Sequence, residues 1–502
     1  MDAQVVVVGA GPVGLMLAGE LRLGGAEVVV VERRREACGE SRASTVHART
    51  MEILHSRRLT DALGSPAHDT HGHFAGIPLD LTLPCAFSGV WKVPQQRLEQ
   101  VLAEWAGGLG AEIRRGWELT DVRQDPEGVR ATVTGPRGPA DLRCSYLVAC
   151  DGEDSTVRRL TRADFPGRPP TRWLLRADIT GVSPRPRRFE RLPRGFAVAA
   201  SGTGGVTRLI VHSHAGQRRP PSSAPDLRSL LEVWRDVTGE DLSGAEPLWI
   251  NSLHDGSRQL AAYRLGRVLF AGDAAHQQLP VGGQALNLGL QDAVNLGWKL
   301  ARQATGRASP GLLDSYHTER HRAGAEVLDN VRQQSRLLLG GAETEPLRRL
   351  AGERLAREPV RSRVAGIISG LGIRYGRGDG DALTGARLPA EDLHDDSAEA
   401  LEAAGRAGRG VLIHLDARPV PVRTADLLTT PGRGRAGGRI PPSGFVLVRP
   451  DGHVAWAGED PAALTRAVRQ WFAPHGNDPA DGSVPAPTPS ASPSPSPTGM
   501  TR

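Results

Sequence analysis

The 502-residue sequence predicts an α/β fold combined with an α+β one. A parallel sheet covered on both faces is interrupted by a mixed, largely antiparallel sheet, and a small α/β module follows. Three observations predict this. Val5–Val8 and Val28–Val31 are wholly apolar runs on either side of a glycine turn and a helical pattern, as strands buried on both faces read. From 171 to 254 the texture changes to short alternating or apolar runs between Gly, Pro and Ser turns, as in antiparallel sheet. Near the end, FVLVRPDGHVAWAG reads as a hairpin turning at Pro450-Asp451-Gly452, and PAALTRAVRQWF as a helix after it.

The elements follow in order. After GAGPVG, the run LMLAGELRLGG carries helical spacing and is closed by Gly24-Gly25. The second buried strand ends at Glu32. QQRLEQVLAEWAGGLG, 95–110, is an amphipathic helix stopped by glycines. AEIRRG, TDVRQDPEGVRATVTG and ADLRCSYLVACDG then read as short strands, partly a meander. TRWLLRADIT, GFAVAASG, GVTRLIVHS and EPLWINSLH form the inserted sheet. The chain returns through the strand RVLFAGD to a long helix from Leu286, and 311–365 is mostly helical. The segment 379–473 makes the last module, and VPAPTPSASPSPSPTG is Pro/Ser low complexity with too few apolar residues to order itself.

Composition narrows the function classes. The length allows two to four domains with ample core. No apolar run approaches the roughly 18 residues of a membrane span. MDAQVVVVGAG enters a strand at once, without the ordered regions of a secretory signal, so a cytoplasmic protein meeting no membrane is expected. Net charge is +6, but of 62 basic residues only Lys92 and Lys299 are lysine, and the arginines lie scattered among 56 acids. That is no basic patch, and nucleic acid is not an expected partner. Cys38, Cys85, Cys144 and Cys150 have no CxxC and no metal-ligand spacing. They read as buried thiols, with no metal site.

Three motifs carry chemistry. In GAGPVG, Gly9 permits the turn, Gly11 lets a pyrophosphate approach the backbone, and Gly14 lets helix and strand pack, with the phosphates on the free N–H groups of the helix. Glu32, at the end of the second strand, stands where a carboxylate binds ribose hydroxyls. In CDGEDSTVRRL, Asp151-Gly152 lies at a strand end; alone it reads as a turn with a helix cap at Ser155. In FAGDAAHQQLPVGGQALNLGLQDAVNLGWKLA, a strand ends in Gly272-Asp273 before a glycine-rich bend and a helix.

In this order, the three motifs resemble the fingerprints of the single-component FAD-dependent aromatic hydroxylases. SRASTVHARTMEIL (41–54), VPQQRLEQVL (93–102), AAYRLGRVLFAGDAAH (261–276) and SYHTERH (315–321) match as well. ISGLGIRY and LTGARLP, near 370–390, narrow the resemblance to the branch that tailors aromatic polyketides. It covers about residues 4–475. It implies a glutathione-reductase-like Rossmann FAD-binding domain (1–75, 95–170 and 260–330) and an inserted substrate domain (76–94 and 171–259). A helical connector (331–378), a thioredoxin-like domain (379–475) and a disordered tail (476–502) complete the chain.

Carried over by residue, the resemblance implies that Gly9, Gly11 and Gly14 hold the FAD pyrophosphate. Glu32, with Arg33 beside it, takes the adenosine ribose; Arg42 lies near the pyrophosphate and Gln95 near the ribityl chain. Asp151 and Gly152 belong to the fingerprint shared by FAD and NAD(P)H contacts, and Gly272-Asp273 serves the ribityl chain or the pyrophosphate side. Pro280, Gly282 and Gly283 wall the isoalloxazine, and Leu286 and Asn287 meet its edge, where the helix turns its positive end to the ring. One departure stands out: the family usually has a glycine where this chain has Ala285.

The implied reaction has NAD(P)H, expected to be NADPH, reduce the flavin. O2 adds to give a flavin C4a-hydroperoxide, which hydroxylates a polycyclic aromatic substrate. Oxygen insertion beside a ketone of Baeyer–Villiger type and drug binding without oxygenation are the alternatives. With no second GxGxxG in strand–helix context, nicotinamide is expected to bind transiently across a surface cleft. No catalytic residue is singled out: His212, His214, His254 and His276 read as satisfied or solvent-facing, and Trp91, Trp173, Trp249 and Phe196 as core. The last module holds no cysteine, so packing or homodimerisation, not dithiol exchange, is its expected role.

Overall fold

The computed structural model describes residues 1–36, 44–215, 225–376, 382–394 and 397–472. Arg42, Cys38 and the Pro/Ser segment lie outside the described residues.

The first sheet runs in the order Val268–Phe270, Gly138–Ala149, Ala3–Val8, Val28–Glu32, Glu112–Arg115, every neighbouring pair parallel. Its inner strands are buried along their length because both faces are covered, which is why Val5–Val8 and Val28–Val31 carry no polar alternation. Glu118–Gln124 and Val129–Gly135 extend the long 138–149 strand as an antiparallel meander. The helix Pro12–Leu23 packs on Gln95–Gly108 and on Gln284–Ala304. The latter contact is close: a Cβ on Gly297 would stand 2.3 Å from the Glu20 side chain.

The inserted sheet is antiparallel throughout, in the order Arg187–Leu192, Gly195–Ser201, Thr207–Ser213, Trp173–Thr180, Glu246–His254. One face carries the helix Leu227–Thr238, which the strand reading of the insertion does not name. Asp226 and Ser229 form a reciprocal capping box at its start, Gly239 closes it in the left-handed region, and Leu230, Trp234 and Val237 bury onto Ala177, Leu209 and Val211. The other face contributes Leu174, Phe196 and Val198 to a second core with Leu81, Val281 and Leu288. That core joins the insertion to the first fold.

The long helix starts at Gln284, two residues before Leu286, because Gly283 takes the left-handed conformation as its N-cap and frees the chain to turn helical at once. Asp314–Leu339, Glu345–Leu355 and Val360–Ser369 follow as helices. The last module orders its strands Leu427–Pro431, Gly410–His414, Phe445–Val448, Val454–Gly458, with the first pair parallel and the rest antiparallel, and Ala398–Arg406 and Pro461–Trp471 as helices. The hairpin turns at Pro450-Asp451-Gly452 and pushes its tip into the first fold: Arg449 meets Glu319, and Asp451 meets Asn295. Among the described residues no helix is long and apolar enough to cross a membrane.

Candidate cofactor cleft and active-site cavity

The cleft begins where strand 3–8 ends. Gly9 bends at φ +104°, its N–H donating to Val31 O (2.8 Å), and a Cβ there would lie 2.4 Å from Cys150 O. A Cβ on Gly14 would lie 2.0 Å from Gly9 O, so helix and turn touch backbone to backbone. Gly11 differs: nothing stands within 4 Å of the place its Cβ would occupy. No side chain caps the 12–23 helix, whose N-cap is Gly11, so its first N–H groups face that space. Glu32 pins the loop, Oε2 accepting from Ala10 N–H and Oε1 from Arg34 N–H, each at 2.9 Å. Open room, free donors and a positive helix end suit a pyrophosphate, so the residues present fit FAD here.

Three cavities run on from this loop. The first, about 210 Å³, is lined by Gly9, Gly11, Glu32, Arg33, Gln95, Asp151 and Gly152. The second, about 440 Å³, shares Gly11, Gln95 and Gly152 with it and adds Asp273, Pro280 and Leu286. The third, about 240 Å³, shares Pro280, Ala285 and Leu286 with the second and adds Gly282 and Gly283. Shared walls make these one continuous groove, and it brings together twelve of the residues expected from sequence.

Of the other described ones, Gly14, Gly272 and Asn287 stand behind it. Gly14 is spent on packing. Gly272 turns at φ +62°, its N–H donating to Asp292 Oδ2 (3.1 Å). Asn287 does not line the groove. Its Oδ1 accepts from His47 N–H (2.9 Å) and its Nδ2 donates to Thr45 O (3.0 Å) and Gly283 O (2.8 Å), strapping strand Thr45–His47 to the helix start. Asp151 Oδ2 accepts from Val157 N–H (3.1 Å); burial pushes its carboxyl up, and Oδ1 is buried without a partner. Ser155 caps the following turn, accepting from Arg158 N–H (3.0 Å). Ala285 sits in the first turn of the helix, where its methyl costs no backbone strain; Gly282 and Gly283, at φ +70° and +69°, make the bend instead.

Sequence reasoning misses Asp292. It is fully buried and accepts from Gly272 N–H, from His276 Nε2 (2.8 Å) and from Arg320 Nε (2.7 Å). Burial alone would raise its carboxyl; the Arg320 charge and the His276 hydrogen bond outweigh that and hold it below the usual range. It thereby fixes the turn that presents Asp273. The one sign in the sequence is Asp292, Asn295 and Lys299 at helical spacing on the 284–304 helix. His276 is thus committed, His212 bonds Trp173 O (2.9 Å), and His254 pairs with Glu153 (3.1 Å) at the second cavity.

The third cavity has a different chemistry. Lys92, Arg176, Arg188 and Arg208 line it and no carboxylate does. Asp178 binds Arg208 through two contacts of 2.8 Å and Asp69 binds Arg188 at 3.1 Å, while Lys92 donates to Thr45 Oγ1 (3.1 Å). Phe189 is its aromatic wall; Trp91, Trp173, Trp249 and Phe196 do not line it. His73 and His47 are held neutral, pushed by burial down to about 3 and about 4. His47 is not among the histidines that the sequence singles out.

Comparison with known proteins gives two families. The one described as FAD binding domain matches residues 2–331, and the one described as aromatic-ring hydroxylase, C-terminal, matches residues 381–474. The chain is 39% identical over 510 residues to the 12-dehydrotetracycline 5-monooxygenase/anhydrotetracycline 6-monooxygenase of Streptomyces rimosus subsp. rimosus, covering 94% of this chain and 99% of that one. It is 36% identical over 483 residues to the dialkyldecalin synthase of Streptomyces rugosporus, covering 94% and 100%. Among solved structures, CabE, an aromatic hydroxylase from angucycline biosynthesis, is similar at a TM-score of 0.87 and 41% identity, covering 94% and 100%.

Proposed function

This chain belongs to the FAD-binding aromatic-ring hydroxylase family, and from that premise we propose that it is an NAD(P)H-dependent monooxygenase that hydroxylates a polycyclic aromatic polyketide. The observation that carries the reading is continuity: the groove that suits a dinucleotide opens, past Pro280, Gly282 and Gly283, into a partly apolar cavity between the two sheets. Bound FAD, reduced by NAD(P)H, supplies activated oxygen there. One atom of O2 enters the product as hydroxyl and the other leaves as water, with the two electrons coming from the nicotinamide.

The chain's own residues do the rest. Asp273 and Gln95 line the middle of the groove, where they orient a polyol chain. The start of the 284–304 helix lies at the groove, where its positive end would favour the charge a reduced flavin carries. Leu81, Val90, Phe189 and Ile210 exclude water from the cavity.

The test is NADPH consumption near about 340 nm by FAD-loaded protein, with and without anthraquinone and angucyclinone phenols, with peroxide measured in parallel. Stimulated consumption with little peroxide and one oxygen gained supports the reading, and product NMR separates ring hydroxylation from insertion beside a ketone. The similarity to a dialkyldecalin synthase favours one second reading, a flavoprotein that shapes a cyclisation. On that reading, consumption ignores every phenol.

A further inference from the structure

We infer that Lys92 is a specificity-determining residue whose ammonium pairs with a carboxylate on the substrate, so that the third cavity selects a polycyclic aromatic acid over its neutral ester. This rests on the substrate class proposed above.

Strand register turns Lys92 into the cavity. Lys92 pairs with Thr45 and Val90 with His47 in a small antiparallel sheet, and all four residues line the cavity. Trp91, between Val90 and Lys92, does not line it and packs on the core of the first fold instead, as the two-residue period of a strand requires. The Lys92 side chain is exposed, but on to a walled space: burial first, and then the Arg188 charge, push its pKa down.

An ammonium has three N–H donors. One goes to Thr45 Oγ1 (3.1 Å), and among the described residues Lys92 forms no ion pair. The carboxylate that acts on it, Asp69, is already held by Arg188 at 3.1 Å. Arg208 likewise has Asp178 behind the cavity wall, at 2.8 Å through each of two contacts. Lys92 therefore brings a charge to the cavity that the described residues do not answer.

The surroundings choose the anion. Three arginines line the same space and, among the described residues, no carboxylate does, so the field there is positive. Phe189, Val198 and Ile210 offer apolar wall to a flat hydrocarbon. A carboxyl, with an ordinary pKa of about 4, is ionised at neutral pH unaided, whereas a phenol, near about 10, is not. A carboxylate on an aromatic frame meets the remaining donors of Lys92 and the positive field together; its ester keeps the oxygens and loses the charge.

The experiment measures binding of 4,5-dihydroxyanthraquinone-2-carboxylic acid and of its methyl ester to FAD-loaded protein near neutral pH by titration calorimetry, without NADPH. The native protein is expected to bind the acid about tenfold more tightly. Lys92→Met and Lys92→Gln lose that preference through weaker binding of the acid alone, with the ester bound as before and FAD content unchanged. Lys92→Arg, which restores a cation, keeps most of it. The glutamine variant keeps a donor for Thr45 and covers the case in which the methionine variant does not fold. Equal binding of acid and ester by the native protein overturns the inference. So does a preference that survives both neutral substitutions, which would assign the carboxylate to the arginines, or an equal loss of acid and ester, which would make Lys92 a structural residue. Because no turnover is needed, the role of Lys92 and the monooxygenase reading fail separately.

Discussion

Replacing Arg449 by methionine should loosen the last module from the cofactor domain by about 3 kcal/mol. Arg449 donates Nη1 to Glu319 Oε1 (2.6 Å), Nη2 to Glu319 Oε2 (2.9 Å) and Nε to Asp451 Oδ1 (3.1 Å), with its side chain 2% exposed. Lys299 Nζ reaches Glu319 Oε2 at 2.7 Å. Two carboxylates and two cations balance, and losing Arg449 leaves the carboxylates facing one ammonium. Burial would raise Glu319, but Arg449 and then Lys299 outweigh it and hold it at about 2 against an ordinary 4.5. A carboxyl so depressed contributes about 3 kcal/mol, in line with the roughly 3–5 kcal/mol lost when one partner of a buried pair is removed.

The sign follows from the depression. The contribution is full above the unfolded value of 4.5 and disappears as pH falls toward 2. The gap between native protein and variant is therefore widest near neutrality and narrows on acidification. Trp298 and Trp471, with ring centres 5.6 and 4.6 Å from the guanidinium, report the contact directly. Urea titration followed by tryptophan emission should show the variant's midpoint falling further below the native one at pH 7 than at pH 4, and melting should fall by roughly 6 °C. Arg449→Met with Glu319→Gln rebalances the charges and recovers part of the loss. An unchanged midpoint, or a loss that acid does not reduce, would refute the electrostatic account and leave packing on the tryptophans as the cause.

Gly11→Ala and Gly14→Ala should fail differently. The first folds with native circular dichroism but binds FAD about tenfold or more weakly, whereas the second costs about 1–3 kcal/mol or more, because its methyl meets Gly9 O. Asp273→Ala should fold and melt like the native protein yet purify colourless; full yellow occupancy would sink the role given to Asp273. Asp292→Asn leaves Arg320 buried without its charge partner, so about 3–5 kcal/mol of stability should go together with FAD content. Calorimetry and flavin stoichiometry check both losses.

Local signals make the dinucleotide loop legible: Gly9, Gly11, Gly14 and Glu32 lie within one turn–helix–strand unit, and each spacing has a steric reason. The 227–238 helix carries equally local signals in Asp226, Ser229 and Gly239, but the strand-like segments on both sides outweigh them. Asn287 is legible only by its place along a motif; the contact that employs it comes from a strand 240 residues earlier. His47 is out of reach, since its ring is held against Ile368, 321 residues away, by burial that no spacing reports. Glu319 and Arg449, 130 residues apart, are the same case.

The long-range contacts that sequence could not supply converge on one element. At its first turn the 284–304 helix carries Ala285 and Leu286 into the groove; one turn on, Asn287 holds the 45–47 strand; further along, Asp292 fixes the turn before Asp273. Beyond that, Asn295 and Lys299 join Glu319, Arg449 and Asp451 at the hairpin of the last module. A rigid helix displaced at one end moves at the other. A last module without cysteines therefore still has physical work to do, because it buttresses the far end of the helix whose near end shapes the groove. Glu319 and Arg320 are adjacent, one facing the module and the other Asp292, and this binds the buttress to the Gly272 turn through two buried ion pairs. The groove's geometry therefore depends on charges buried well behind it, and substitutions there should alter flavin retention without touching a residue that lines the groove.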